Sequence, residues 1–348
     1  MNEITSIWPE FLQQQTLTAL PAAAAATQPS FFAPLPELGL IAASGEDAAS
    51  FLHTQLTNDV QNLTAAQARL AGYCSPKGRL QATFLIWKSG DSIFLQLPRE
   101  LQAALQKRLQ MFIMRAKAKL ADVTEAHAVL GLAGEAVAAA LAPWFPALPD
   151  APYGKIDNQY GSLIRVADAD GAPRYQWITS PETAIAAWPL LSSSLQALSA
   201  QAWRLSEIRA GIAQVTLATQ EQFVPQMINF EVVGGVNFKK GCYPGQEIVA
   251  RSQYLGKLKR RAVLASVEAT GIAAATEVFS SNDPEQPCGM IVNAEADSAH
   301  SSLCLLEIKL AATEGGTTVH LGSINGPQLK FHALPYSIID VTDAELSA

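Results

Sequence analysis

The period of the apolar positions changes several times along the chain, and each change marks an element. Leu40–Ala43 is a short apolar run that predicts a strand. Gly45 turns the chain, and Glu46–Leu56 then places Ala49, Leu52, His53 and Leu56 on one helical side. Arg69–Tyr73 and Leu80–Trp87 flank Ser75-Pro76-Lys77-Gly78, a strand–turn–strand pattern, and Ile93–Leu97 predicts a further strand. Arg99–Arg115 carries Leu101, Leu105, Leu109 and Phe112 at helical spacing, and Ala116–Val123 alternates as a strand. The same style recurs with strands at Val129–Leu132, Leu163–Val166 and Tyr175–Thr179, and helices at Glu135–Leu141, Glu182–Leu198 and Ala202–Gly211. From about Arg261 the texture shifts. The short runs Ala262–Val267, Gly289–Val292 and Ser302–Ile308 alternate with Gly, Pro, Asn and Asp turns, which predicts a small antiparallel β-barrel.

The first residues lack this regularity. Ile4–Leu20 predicts at most a short helix stopped by Pro21, the Ala22–Ala26 run with Pro29 reads as a linker, and order is expected from about Leu38. Glu3 and Glu10 precede any Lys or Arg, unlike the basic start of a signal peptide, and no apolar stretch reaches transmembrane length. The chain is expected in the cytoplasm, without a membrane partner.

Composition narrows the picture. With 348 residues, 49% hydrophobic and 16% charged, the chain is long enough for two or three packed domains. A net charge of −7 argues against a generally basic nucleic-acid binder. The 4 cysteines, Cys74, Cys242, Cys288 and Cys304, show no CxxC pair and no His at ligand spacing. A metal site made wholly by this chain is not expected, nor is a disulfide scaffold.

The chemistry concentrates between Lys239 and Arg261. Seven Lys or Arg (Lys239, Lys240, Arg251, Lys257, Lys259, Arg260 and Arg261) stand there with one Glu, in a chain otherwise acidic. Gly241 and Gly245 flank Cys242 and let the backbone turn tightly or approach another surface. Gln246–Ser252 predicts a helix with Glu247 in its first turn and Arg251 four residues on. A cysteine just before a helix N-terminus and beside Lys239 and Lys240 is set up as a thiolate. The plain alternatives are a small buried hydrophobe for Cys242 and a solvated face for the basic run.

Lys240-Gly241-Cys242-Tyr243-Pro244-Gly245-Gln246-Glu247 resembles the signature of the YgfZ family of folate-binding proteins, within the glycine-cleavage T-protein superfamily. Gln55-Leu56-Thr57-Asn58-Asp59, Cys74-Ser75-Pro76-Lys77-Gly78-Arg79, Phe223-Val224-Pro225-Gln226 and Pro335-Tyr336 fit the same family in order. The resemblance runs from about Leu38 to Ser337. It implies an α+β, T-protein-like folate-binding fold with a C-terminal antiparallel β-barrel. The expected division is a loosely ordered leader at 1–34, two intertwined α+β units at 35–256 divided near 125–130, and the barrel at 257–340. It also implies tetrahydrofolate or a related reduced folate as cofactor, and iron–sulfur enzymes or assembly proteins as partners. The link to tRNA is indirect, through an iron–sulfur enzyme that methylthiolates it.

Site residues follow from the same resemblance. Cys242, Lys240, Gln246 and Glu247 carry the motif chemistry, with Cys242 as transient ligand, thiol acceptor or redox sensor. Trp203, Leu38, Tyr243, Arg251 and Lys77 are the candidate folate contacts. Two departures stand out. Leu38 falls where the family has a tryptophan. Arg209-Ala210-Gly211 replaces the Glu-Ala-Gly in which aminomethyltransferases hold the pterin, and a guanidinium accepts no hydrogen bond. An aminomethyl transferase is thus the second reading, behind an accessory protein for iron–sulfur enzymes. An RNA-binding module on the basic strip is the third, weakened by net acidity. The 5 His residues show no hydrolase motif.

Overall fold

The computed structural model describes residues 7–19, 29–254 and 258–338. In chain order it begins with α1 (Ile7–Gln13), β1 (Phe31–Pro34), β2 (Leu38–Ser44), α2 (Ala48–Gln55), β3 (Ala68–Cys74), β4 (Leu80–Ser89), β5 (Ser92–Pro98), α3 (Arg99–Met111) and β6 (Lys119–Asp122). It continues with β7 (Ala128–Ala133), α4 (Val137–Leu141), β8 (Lys155–Asn158), β9 (Gly161–Ala169), β10 (Ala172–Thr179), α5 (Pro181–Ser194), β11 (Gln196–Ala197) and α6 (Ala200–Arg209). The remainder is α7 (Gln246–Tyr254), β12 (Arg260–Val267), β13 (Glu277–Ser280), β14 (Asp283–Ala296), β15 (Ser302–Lys309), β16 (Val319–Leu321) and β17 (Leu329–His332). The elements form two compact units: Met1–Phe51, Asn62–Arg69 and Leu85–Ser206; and Leu52–Gln61, Leu70–Phe84 and Glu207–Ala348.

The first unit is built on the sheet β11-β1-β7-β10-β9-β8. Strand β7 is buried on both faces, which is why its sequence is uniformly apolar. On one face Leu130, Leu132 and Trp177 pack against Val137 and Leu141 of α4 and Ala184, Trp188 and Leu191 of α5. Trp8 of α1 joins this core, with its ring 6.0 Å from that of Trp188. The N-terminal segment is therefore ordered over α1 and from β1 onward, where a leader was expected. Three indole and phenyl rings give α1 enough apolar area to dock despite its seven residues. The Ala22–Ala26 run lies outside the described residues. A second layer of this unit pairs β2 with β5 and β6 under α3.

Some boundaries differ from the periodicity. Helix α3 stops at Met111, and Met111, Phe112 and Met114 are exposed. Helix α5 stops at Ser194. Leu195 turns extended there, and Gln196 and Ala197 pair with β1 instead of prolonging the helix.

The second unit contains the β-rich region. Its sheet β16-β13-β14-β15-β12-β17 is antiparallel throughout and curled, and a bridge between His320 and Gln328 brings the two ends together. Val278, Ile291, Cys304, Leu306 and Ile308 fill its core. The fold is α+β with this curled antiparallel C-terminal sheet, as expected.

Candidate functional site

The loop that bears Cys242 is positioned by the segment after α2. Thr57 Oγ1 donates to Gly235 O at 2.6 Å, and Asn58 Nδ2 donates to Gly234 O and Leu70 O, both at 2.7 Å. Asn237 N donates to Thr57 O at 2.9 Å. Both side chains are buried, so these bonds act in a low-dielectric interior and hold 234–237 tightly. Lys240 then reaches back: its ammonium donates to Leu56 O at 2.7 Å and also to His53 O. A cation on the free carbonyls of a helix C-terminus satisfies them and complements the helix dipole. The same ammonium lies 4.9 Å from the centroid of the Tyr243 ring.

The far side of the loop is fixed by backbone. Gly245 has φ 78°, and a Cβ there would lie 2.4 Å from Ser75 O and 2.6 Å from Gly78 Cα. Gly78, at φ 70°, has Ile248 of α7 against its own Cβ position, at 2.8 Å. The Ser75–Gly78 turn and the start of α7 therefore interlock through glycines. Phe238 packs edge-on against Tyr254 at 5.8 Å. Between these anchors Cys242 is exposed, whereas Cys74, Cys288 and Cys304 are buried. Burial pushes the Cys74 and Cys304 thiols up to about 12.

Titratable groups crowd the loop. Asp59 Oδ1 lies 3.2 Å from His53 Nδ1, and both side chains are nearly buried, at 12% and 13% exposure. Burial and the Lys240 charge hold His53 below its usual value, with Asp59 pulling the other way. Burial brings the Lys240 ammonium down to about 8, against the opposing pull of Asp59 and Cys242. Burial also carries the Tyr243 phenol far above its usual range, and its hydroxyl has no hydrogen-bond partner among the described residues. His53 and Asp59 were not singled out by motif reading. Asp59 stands within the Gln55–Asp59 segment, but nothing local in the sequence places His53 or Asp59 beside Lys240.

Of the other motif residues, Gln246 opens α7, and Glu247 and Arg251 are exposed on it. Lys77 is exposed on the turn that Gly245 packs against. The basic strip is not one rim. Arg260 pairs with Glu307 at 2.8 Å, and Arg261 pairs with Glu231 in the interior. Adjacent strand residues point to opposite faces, so Arg260 and Arg261 cannot share a surface. Lys240 points inward as described, and Lys257 lies outside the described residues. Lys239, Arg251 and Lys259 remain exposed.

Trp203 and Leu38 belong to the first unit. Leu38 is buried at the start of β2. Trp203 is 3% exposed. A Cβ on Gly131 would lie 2.3 Å from its ring, and the Arg174 guanidinium sits 4.9 Å from the ring centroid. Gln176 is paired with Gly131 in the β10–β7 ladder, so its side chain rises on the Trp203 face. Its Oε1 is buried and accepts nothing among the described residues. Gln176 is a residue the motif reading missed, because β10 reads in sequence only as a strand.

In the second unit, Gly211 (φ 69°) lies against the Tyr336 ring, and Tyr336 donates to Gly211 O at 2.9 Å. Among the described residues no group of three or more His, Cys, Asp or Glu is placed to hold a metal, and no helix is long and apolar enough to cross a membrane.

No protein-family model matches the chain. In structure, the chain is similar to the glycine cleavage system aminomethyltransferase T from Bartonella henselae, with a TM-score of 0.73 and 17% identity over 95% of this chain and 89% of that one. That likeness shows a shared fold. In sequence, it is 33% identical to the tRNA-modifying protein YgfZ of Klebsiella pneumoniae (strain 342), over 67% of this chain and 72% of that protein. It is 35% identical to the protein of the same name from Colwellia psychrerythraea (strain 34H), over 65% of this chain and 68% of that one. With these identities over more than two thirds of such relatives, the chain belongs to the YgfZ family.

Proposed function

We propose that this chain is a folate-binding accessory protein that supports iron–sulfur enzymes, including those that modify tRNA, with Cys242 as its working residue. The observation that carries the reading is the contrast among the cysteines. Cys242 alone of the 4 is exposed, on a loop whose flanks are both fixed. A packing cysteine has no need of that setting. That the similar proteins of Klebsiella pneumoniae and Colwellia psychrerythraea are tRNA-modifying proteins supports the tRNA link. The thiol serves as a transient ligand, a thiol acceptor or a redox sensor.

The folate half of the proposal rests on the fold and on residues that fit the group. The buried, unpartnered Oε1 of Gln176 beside Trp203 offers an acceptor for the N–H donors of a pterin. Trp203 carries on its ring the Arg174 guanidinium, which Ala167 O and Ser206 Oγ also hold. Lys77 and Arg251, both exposed cations of the second unit taken by itself, suit an anion such as a carboxylate. A reduced folate, when bound, supplies a carrier for one-carbon groups. Aminomethyl transfer ranks below the accessory role, because Arg209 stands where that chemistry has its carboxylate.

Titration with tetrahydrofolate, followed by tryptophan fluorescence, tests the folate half. Gln176→Leu is expected to weaken binding about tenfold, the value of one hydrogen bond to a buried polar group. Unchanged affinity would remove Gln176 from the site. Complementation with a Cys242 variant tests the thiol half.

A further inference from the structure

Helix α3 keeps its apolar side inward until its last turn. Leu101, Leu105 and Leu109 are buried and fix it to its unit. At the end of the helix the apolar side chains turn outward: Met111, Phe112 and Met114 are 65%, 50% and 90% exposed. The segment is nonetheless held. Phe112 N and Ile113 N donate to Leu109 O and Gln110 O at 3.0 and 3.2 Å, and Gln110 Nε2 donates to Leu120 O at 3.3 Å. Beyond the turn, Lys117 N donates to Asp47 Oδ2 at 2.7 Å, and Asp47 N donates to Lys117 O at 3.2 Å. Gly45, at φ 106°, permits that approach, because a Cβ there would lie 2.2 Å from Lys117 O. Two thioethers and a phenyl ring thus stand in solvent on a knuckle tied down at both ends. Packing within the chain does not account for them. Exposed apolar area rimmed by charge marks an interaction surface.

The rim has one sign. Between Leu101 and Ala121 stand Lys107, Arg108, Arg115, Lys117 and Lys119, with no Asp or Glu, in a chain of net charge −7. Lys117 pairs with Glu46 at 2.8 Å, while Lys107, Arg115 and Lys119 are exposed. The charge selects an anionic partner, and the apolar side chains select its class. RNA stacks its bases on flat aromatic faces, and the knuckle offers a single ring. A membrane surface takes the whole apolar face of an amphipathic helix, and that face of α3 is buried in the core. Methionine, phenylalanine and arginine are side chains enriched where proteins meet, the unbranched thioether adapting to its partner's shape.

We propose that the knuckle at Met111, Phe112 and Met114, with its cationic rim, is a docking surface for an acidic amphipathic helix of a partner protein. Apolar side chains of that helix cover the knuckle, and its carboxylates meet Lys107, Arg115 and Lys119. The surface lies wholly in the first unit and does not depend on the reading of Cys242.

The test is fluorescence anisotropy of the full chain with a labelled helical peptide carrying Leu on one face and Glu on the other. Wild type should bind it, and Met111→Ser/Met114→Ser should bind about tenfold more weakly. Lys107→Gln/Arg115→Gln/Lys119→Gln should also weaken binding about tenfold at low salt and flatten its salt dependence. All of these side chains are exposed, so both variants should keep the wild-type urea midpoint; if one unfolds, the other carries the test. A peptide of the same composition with Leu spread around the helix should bind about tenfold more weakly than the amphipathic one. Equal binding of the two peptides overturns the proposal, since charge alone would then act. So does an absence of binding by wild type, or wild-type affinity in either folded variant. If the peptide fails while polyuridylate, vesicles of phosphatidylcholine and phosphatidylglycerol, or a second copy of the chain binds through the same residues, the surface belongs to that occupant and the proposal falls.

Discussion

Gly245→Ala probes whether the Cys242 loop is held as described. The substitution adds one methyl at φ 78°, 2.4 Å from Ser75 O and 2.6 Å from Gly78 Cα. Both obstacles belong to backbone, so neither can swing aside. Left-handed φ alone costs an alanine about 1 kcal/mol. Forcing an atom into closely packed backbone adds roughly 1–3 kcal/mol. Gly245→Ala should therefore lose about 3 kcal/mol in total. Gly234→Ala is the matched control, because Gly234 has φ 81° with nothing within 4 Å of its Cβ position. It should lose only the backbone part, about 1 kcal/mol. Urea denaturation of the two variants, with the midpoint shift read at constant slope, measures the difference. Equal losses would mean that the loop and the Ser75–Gly78 turn do not interlock, and the account of how Cys242 is held would fail.

Other expectations follow from the same unit. Arg260→Met should cost about 3 kcal/mol at pH 7, since it leaves the Glu307 carboxylate buried without its cation. Burial already holds Glu307 above the usual carboxylate range, against the opposing pull of Arg260. A raised carboxyl contributes stability that is present below its unfolded value and lost as pH rises through the folded one. The Arg260→Met deficit should accordingly shrink on acidification, and Arg260→Met/Glu307→Gln should recover most of it; a pH-independent deficit would contradict the pairing. In the native protein Ellman's reagent should label Cys242 alone, with Cys74, Cys288 and Cys304 reacting only on denaturation. Rapid release from a second thiol would contradict their burial.

What the sequence made legible was compact and local. The motif from Lys240 to Glu247 located the exposed thiol, because the glycines, the cysteine and the helix start lie within a few residues of one another. The curled C-terminal sheet was readable from its short runs and turn residues. What the sequence hid was whatever depends on distant partners. His53 comes beside Lys240 and Gly241 only when the end of α2 folds against a loop almost two hundred residues on, and Asp59 lies against the His53 ring. Arg260 and Arg261 read as part of a positive rim, but Glu307 and Glu231 draw them inward. β1 was missed because Pro29, Pro34 and Pro36 frame Phe31-Phe32 and mask a strand of only four residues, which β7 and β11 complete.

The central claim is that Cys242 works through its chemistry and not through packing. The direct measurement is complementation of a strain lacking this protein, with wild type and with Cys242→Ala, scored by the activity of iron–sulfur enzymes and by methylthiolation of tRNA. Cys242 is exposed, so Cys242→Ala should unfold within about 0.5 kcal/mol of wild type. The account predicts a stable, abundant variant that restores neither readout. A stable Cys242→Ala protein that restores both would contradict it.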